Sequence, residues 1–331
     1  MKDLLALSLF LFLGGLVSPL QGQKPDARIY HTMVEADQGR IVLMGGTSKH
    51  GWTMDRDDSW VYDLRADSWA PLGPNEPKEI FAAAYDRQSR RIIAFNLQGE
   101  TWALDPIDGS WEQRTPSQAP STRCGERMVY DADSDRVILF GGFGCTSASD
   151  PMFNDTWSYD YESDSWTLHE TAKAPPPRCY HDMVYHSPTD QVVLWGGRVE
   201  DSRVWVFDLE DESWTDIEIS GGPEGIRSYY TMASVPQTGS ILVFGGLVVD
   251  EPMGMSGRML NEMWYLNLND RIWNRIETED TPTIRSHHAM ATHSPTGQLV
   301  VFGGELEAPY SDNVSDELWI YDPVTHRWKR R

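Results

Sequence analysis

Asp155-Thr156-Trp157-Ser158-Tyr159-Asp160-Tyr161-Glu162-Ser163-Asp164-Ser165-Trp166-Thr167-Leu168 sets two tryptophans nine positions apart, with aromatic and polar residues alternating on either side of a polar middle. Alternation of period two, broken by a short polar run, predicts a β-hairpin. The spacing recurs at Trp60 and Trp69, Trp102 and Trp111, Trp205 and Trp214, Trp264 and Trp273, and Trp319 and Trp328, so twelve of the 14 tryptophans fall into six pairs. Successive first members lie 42, 55, 48, 59 and 55 residues apart. A unit of about 50 residues repeated around a ring is therefore predicted, because one such unit cannot bury both of its faces alone. A turn centred between the fourth and fifth residues after the first tryptophan would place each pair directly across its hairpin.

Upstream in the same unit, Arg123 to Tyr130 and Arg136-Val137-Ile138-Leu139-Phe140 read as two more strands joined by the polar turn Asp131 to Asp135. The second of these ends in Gly141-Gly142. The pair recurs as Gly45-Gly46, Gly196-Gly197, Gly245-Gly246 and Gly303-Gly304, always after an apolar run. Glycine there allows a positive φ and close approach of a neighbouring backbone. The second unit has Phe95-Asn96 instead, and asparagine is expected to hold the left-handed turn, making this a degenerate copy.

A Gly-Gly after an apolar strand, followed by Tyr62, Tyr159 or Tyr321 with six residues before a tryptophan, resembles the kelch repeat across residues 28 to 328. The resemblance implies an all-β, six-bladed kelch-type β-propeller with four antiparallel strands per blade. Blades are expected at about 28–73, 78–115, 123–170, 178–219, 227–278 and 285–331 of a single domain, 23–331. No spare strand is left at either end, so ring closure is expected to rest on packing between the first and sixth blades.

Met1 to Gly22 carries Lys2, the apolar run Leu4 to Leu13 and a small residue at Gly22, the pattern of a secretory signal peptide. A secreted or periplasmic location follows, with no membrane association after removal. The net charge of −22 is the same without this segment, since Lys2 and Asp3 cancel, and it excludes nucleic acid as a natural partner. Of three cysteines, Cys124 and Cys145 are the first choice for a disulfide, with Cys179 as the alternative partner. No spacing suits a structural metal, and no cofactor is expected.

Aligned on the repeat, Arg28, Lys78, Arg123, Arg178, Arg227 and Arg285 share one position, and His31, Phe81, Glu126, His181, Tyr230 and His288 stand three residues later. In kelch proteins the loops entering this strand line one mouth of the channel, so the resemblance implies a basic and aromatic collar suited to a carboxylate. The reading favoured for most of these arginines is structural, one salt bridge per blade with the acid two residues before each first tryptophan: Asp58, Glu100, Asp155, Glu262 or Glu317. Arg203 replaces that acid in the fourth unit, which leaves Arg178 as the expected free cation.

The chain is read as a monomeric binding module for a protein or an acidic glycan, its ligand held by loop residues at one face of the channel. The alternative is a carbohydrate-active kelch enzyme, a sugar-acid epimerase or mutarotase of the sialic-acid kind, with Glu126 and His181 as acid and base. Tyr180-His181 resembles a copper-ligand pair, but Tyr30-His31 and His287-His288 fall at the same repeat position, so no metal is assigned. Loops Thr47 to Asp57, Phe143 to Asn154, Leu247 to Asn261 and Glu305 to Asp316 are expected to form one rim, with Met253, Met255, Met259 and Tyr310 among its contact residues.

Overall fold

A computed structural model of the chain describes residues 23–51, 54–73, 77, 79–147, 150–252, 254 and 256–331. The leader 1–22, Lys78, Met253 and Met255 lie outside the described residues. Six four-stranded antiparallel sheets are present among them, each running from inner to outer strand in chain order. In the third sheet the strands are Arg127–Asp131, Arg136–Phe140, Thr156–Asp160 and Ser165–His169. The inner strands Thr32–Ala36, Ile80–Asp86, Arg127–Asp131, Asp182–His186, Thr231–Val235 and Ala289–His293 neighbour one another in a closed cycle. This is a propeller, and each sheet is one blade.

Second strands such as Ile41-Val42-Leu43-Met44 and Ile241-Leu242-Val243-Phe244 are apolar without alternation because both of their faces are covered by neighbouring blades. Ile41 and Leu43 of the first blade pack with Val300 and Phe302 of the sixth, so the ring closes by side-chain packing as expected. A hydrogen bond from Gly304 N to Arg28 O, 3.0 Å, joins the same two blades. It has counterparts from Gly142 to Arg178, Gly197 to Arg227 and Gly246 to Arg285, at 2.8–2.9 Å. In these four pairs the second glycine thus stitches its blade to the next one.

The first glycine is needed for a different reason. At Gly303, φ is +71° and an added Cβ would stand 2.7 Å from Arg28 O, a backbone atom with nowhere to go. Gly303→Ala is expected to cost at least about 2 kcal/mol, the left-handed penalty and the clash together. Urea unfolding checks this, and a loss under about 0.5 kcal/mol would contradict it.

Two local expectations are corrected. The tryptophan pairs are not directly opposed: Trp157 faces Leu168 and Trp166 faces Tyr159, with the same two-residue offset at Trp60 and Trp69. The turn holds four residues and is centred one position later than expected, closing through a left-handed residue such as Asp164 (φ 48°) or Asp67 (φ 50°). In the second blade Asn96 is not left-handed but ends the strand Arg91–Asn96. Its side chain has another task. Asn96 Nδ2 donates at 2.8 Å to Oε2 of Glu100, the acid two residues before Trp102.

Candidate functional site

Four blades anchor their third strand by one motif. Arg123 donates to Asp155 at 2.7 and 2.8 Å and to Gly141 O at 3.0 Å, and Trp157 Nε1 donates to the same carboxylate at 2.7 Å. Arg28 with Asp58 and Trp60, Arg227 with Glu262 and Trp264, and Arg285 with Glu317 and Trp319 repeat it. These four arginines and Arg178 are at most 2% exposed. The four are paired structural cations, as the salt-bridge reading expects, and the basic collar is corrected accordingly.

The expectation that Arg178 is free is corrected as well. Asp201, four residues before Trp205, accepts from Arg178 Nη2 at 2.6 Å, from Trp205 Nε1 at 2.8 Å and from Arg203 Nε at 2.7 Å. The acid has moved two positions along the chain, and Arg203 occupies the vacated place.

The residues three positions after the arginines are also inward. His31 Nε2 lies 3.1 Å from Phe302 O, His288 Nε2 2.9 Å from Thr231 Oγ1, and Tyr230 donates to Trp195 O. Glu126 and His181 are both fully buried, and neither lines either of the two cavities described below. Burial holds the His31 imidazole down to about 3 and pushes the Glu126 carboxyl up to about 7. Phe81 alone of this set lines the mouth cavity.

What reaches the channel axis at the mouth is the residue two positions after the arginine. Tyr30, Tyr180, Tyr229 and His287 all hold φ between 55° and 58°. A bulky residue there is strained, and persists only where its surroundings fix it. Here the fixing is a chain of inter-blade bonds: Tyr180 N to Gly125 O at 2.8 Å, Tyr229 N to Tyr180 O at 3.2 Å, and His287 N to Tyr229 O at 3.0 Å. The rings then stack across the axis, His287 on Tyr229 at 3.7 Å, Tyr229 on Tyr180 at 4.3 Å and Tyr30 edge-on to His287 at 4.6 Å. They divide the channel. Beyond the plug, a cavity of about 630 Å³ runs between the inner strands, with Arg127, Asp182, His31 and His288 in its wall.

Above the plug lies a mouth cavity of about 670 Å³ lined by Tyr30, His50, Phe81, Phe143, Tyr180, Arg198, Tyr229 and Tyr310, among others. Arg198 follows Gly196-Gly197 and is 5% exposed. Its guanidinium sits 5.2 Å from the Tyr229 ring centre and 5.8 Å from that of Tyr180. It donates to the Tyr310 hydroxyl, and its Nε has no hydrogen-bond partner among the described residues. Unlike the five motif arginines, it has no carboxylate in an ion pair with it among those residues. Burial pushes the Tyr180 and Tyr229 phenols well above their ordinary range, so both are neutral and leave its charge uncompensated.

Glu305, a buried carboxylate near this mouth, is paired within the protein. His50 Nε2 lies 2.8 Å from the buried Glu305 Oε1, and Ser286 Oγ donates to Glu305 Oε2 at 3.2 Å. On the far wall Cys124 and Cys145 form a disulfide with Cα atoms 5.9 Å apart. Cys179 is a free buried thiol whose burial pushes it up to about 12. Among the described residues no group of three or more His, Cys, Asp or Glu is placed to hold a metal ion. Of the expected rim residues, Tyr310 lines the cavity, whereas Met259 is buried against Tyr229 and Leu247 in a β-hairpin.

Known proteins carry the same repeat. The KLHDC2/KLHL20/DRC7 Kelch-repeats domain matches residues 143–331, more than half of the chain. The chain is 29% identical over 222 residues to the flagellar outer arm dynein alpha chain of Chlamydomonas reinhardtii, covering 61% of this chain and 5% of that one. It is 27% identical over 300 residues to human Kelch domain-containing protein 1, and 26% over 302 to the mouse protein, covering 84% of this chain and 61% of each relative. The chain thus spans less than two thirds of the length of these relatives. With the closed cycle of four-stranded blades and the glycine pairs that join them, the match shows that this chain belongs to the kelch-repeat family.

Proposed function

We propose that the propeller is a protein-interaction module whose mouth cavity seats a partner segment through one carboxylate held by Arg198. The observation that carries this reading is a buried guanidinium, aimed into a cavity, with no ion-paired carboxylate among the described residues. Burying a cation unpaired costs stability, and a fold that already pairs five arginines has no structural need of a sixth left unmatched. Neutral aromatic rings on its flank stabilise the cation without neutralising it.

A single cation matches a single carboxylate. The net charge of −22 elsewhere repels a polyanion, so the favoured partner segment is otherwise neutral or basic. That argues for a protein segment over an acidic glycan. The reading includes export, supported by the signal-peptide pattern and by a disulfide that an oxidising compartment sustains.

Selection of random displayed peptides on the 23–331 protein tests it. Enriched peptides are expected to carry a carboxylate, and removing it, or changing Arg198→Met, is expected to weaken binding about tenfold to a hundredfold, the worth of one charged hydrogen-bonded contact. Arg198→Met is also expected to leave stability unchanged or raised, because it removes a desolvated charge. Undiminished binding by this variant would refute the assignment.

A further inference from the structure

One side of the mouth cavity is mostly apolar, although Glu79, Thr122, Thr146 and Asp150 also line the cavity. Phe81, Leu97, Phe143, Met54 and Met152 gather there around the Cys124–Cys145 disulfide. Tyr180 stands between this wall and Arg198, its ring centre 5.8 Å from the guanidinium, 5.6 Å from the Phe143 ring and 6.4 Å from the Phe81 ring. The guanidinium and the Phe143 ring are therefore no more than about 11 Å apart, the reach of about three extended residues.

We propose that this wall is a second subsite, taking a bulky apolar side chain that stands within about three residues of the carboxylate bound by Arg198. The inference rests on the Arg198 reading and adds to it what the neighbouring residue must be. Both halves share Tyr180 as a floor, so one segment that places its carboxylate on Arg198 carries its next side chains across that ring. Covering the wall removes apolar surface from water. It also dries the guanidinium's surroundings, which strengthens the ion pair beside it. Met54 and Met152, on loops of different blades, are unbranched and can adjust to the shape of the incoming group.

Isothermal titration of the 23–331 protein with butyrate, 4-phenylbutyrate and 4-phenylbutanamide tests the pair of subsites. The phenyl acid is expected to bind at least tenfold more tightly than butyrate, and the amide far more weakly than the phenyl acid. In the double variant Leu97→Ala, Met152→Ala, and separately in Phe143→Ser, the ratio between the two acids is expected to fall below threefold. Leu97 and Met152 are only partly buried, so the double variant keeps the test open if Phe143→Ser fails to fold. Equal affinity for the two acids in the wild type would overturn the apolar subsite and leave the Arg198 reading standing. Binding of neither acid would overturn both. A ratio that survives in the variants would place the apolar group elsewhere and overturn the subsite.

Discussion

Glu126→Gln is expected to gain about 3 kcal/mol of relative stability between pH 4 and pH 8. The Glu126 carboxyl is fully buried, and neither oxygen has a hydrogen-bond partner among the described residues. Burial is the largest cause of its rise to about 7, only partly opposed by Arg123 and Arg127. With the folded value above the unfolded one, the proton's contribution to stability is complete below about pH 4.5. It is lost as the pH rises through 7, at about 1.4 kcal/mol per pH unit. Glutamine has no such proton to lose. Unfolding both proteins in urea at each pH and taking the difference isolates the effect. A difference that stays flat from pH 4 to pH 8 would mean that the carboxyl is solvated or paired.

The absolute curves should bend the other way in acid. His31, His181, His287 and His288 are buried, and desolvation holds each well below the ordinary imidazole range. Their folded values lie below the unfolded one, so the stability they confer is present above about pH 6.5 and is lost as the pH falls toward the folded values. Wild-type stability is therefore expected to peak near neutrality.

Asp201→Ala is expected to cost about 3 to 5 kcal/mol, the usual penalty for leaving a buried partner charged and alone. Arg178 is fully buried and has no other carboxylate bonded to it among the described residues. Trp205 Nε1 loses its acceptor in the same change. Arg203→Ala removes a cation from the same carboxylate, but one whose side chain is 40% exposed, and should cost under about 1 kcal/mol. Urea unfolding of the two variants compares them directly, and equal losses would show that Asp201 serves Arg203 rather than Arg178.

The repeat was legible in the sequence because its signals are local. A tryptophan spacing and a Gly-Gly after an apolar run report strand pairs and backbone approach, and both lie within one unit. The site was not legible in the same way. Aligning the arginines drew attention to Arg178 and to the residues three positions on, whereas the axis is reached two positions on, at Tyr30, Tyr180, Tyr229 and His287. The left-handed backbone of Tyr180, Tyr229 and His287 is held by bonds to the preceding blade, which no single unit records. Arg198 did leave a trace. Thr47, Phe143, Leu247 and Glu305 follow the other glycine pairs, so a cation follows the pair in the fourth unit alone. That Asp201 replaces the missing acid depends on the short loop from Arg198 to Arg203, whose path only the folded blade shows.

Hydrogen exchange of the 23–331 protein, free and saturated with a display-selected peptide, tests most directly whether the ligand sits on the aromatic plug. Slowed exchange at Tyr30, Tyr180, Arg198, Tyr229 and the Tyr310 loop, and no change at Arg87, Asp133 and Gln237 on the opposite side of the channel, is the predicted result. Protection confined to that opposite side, or to the outer strands, would contradict the account.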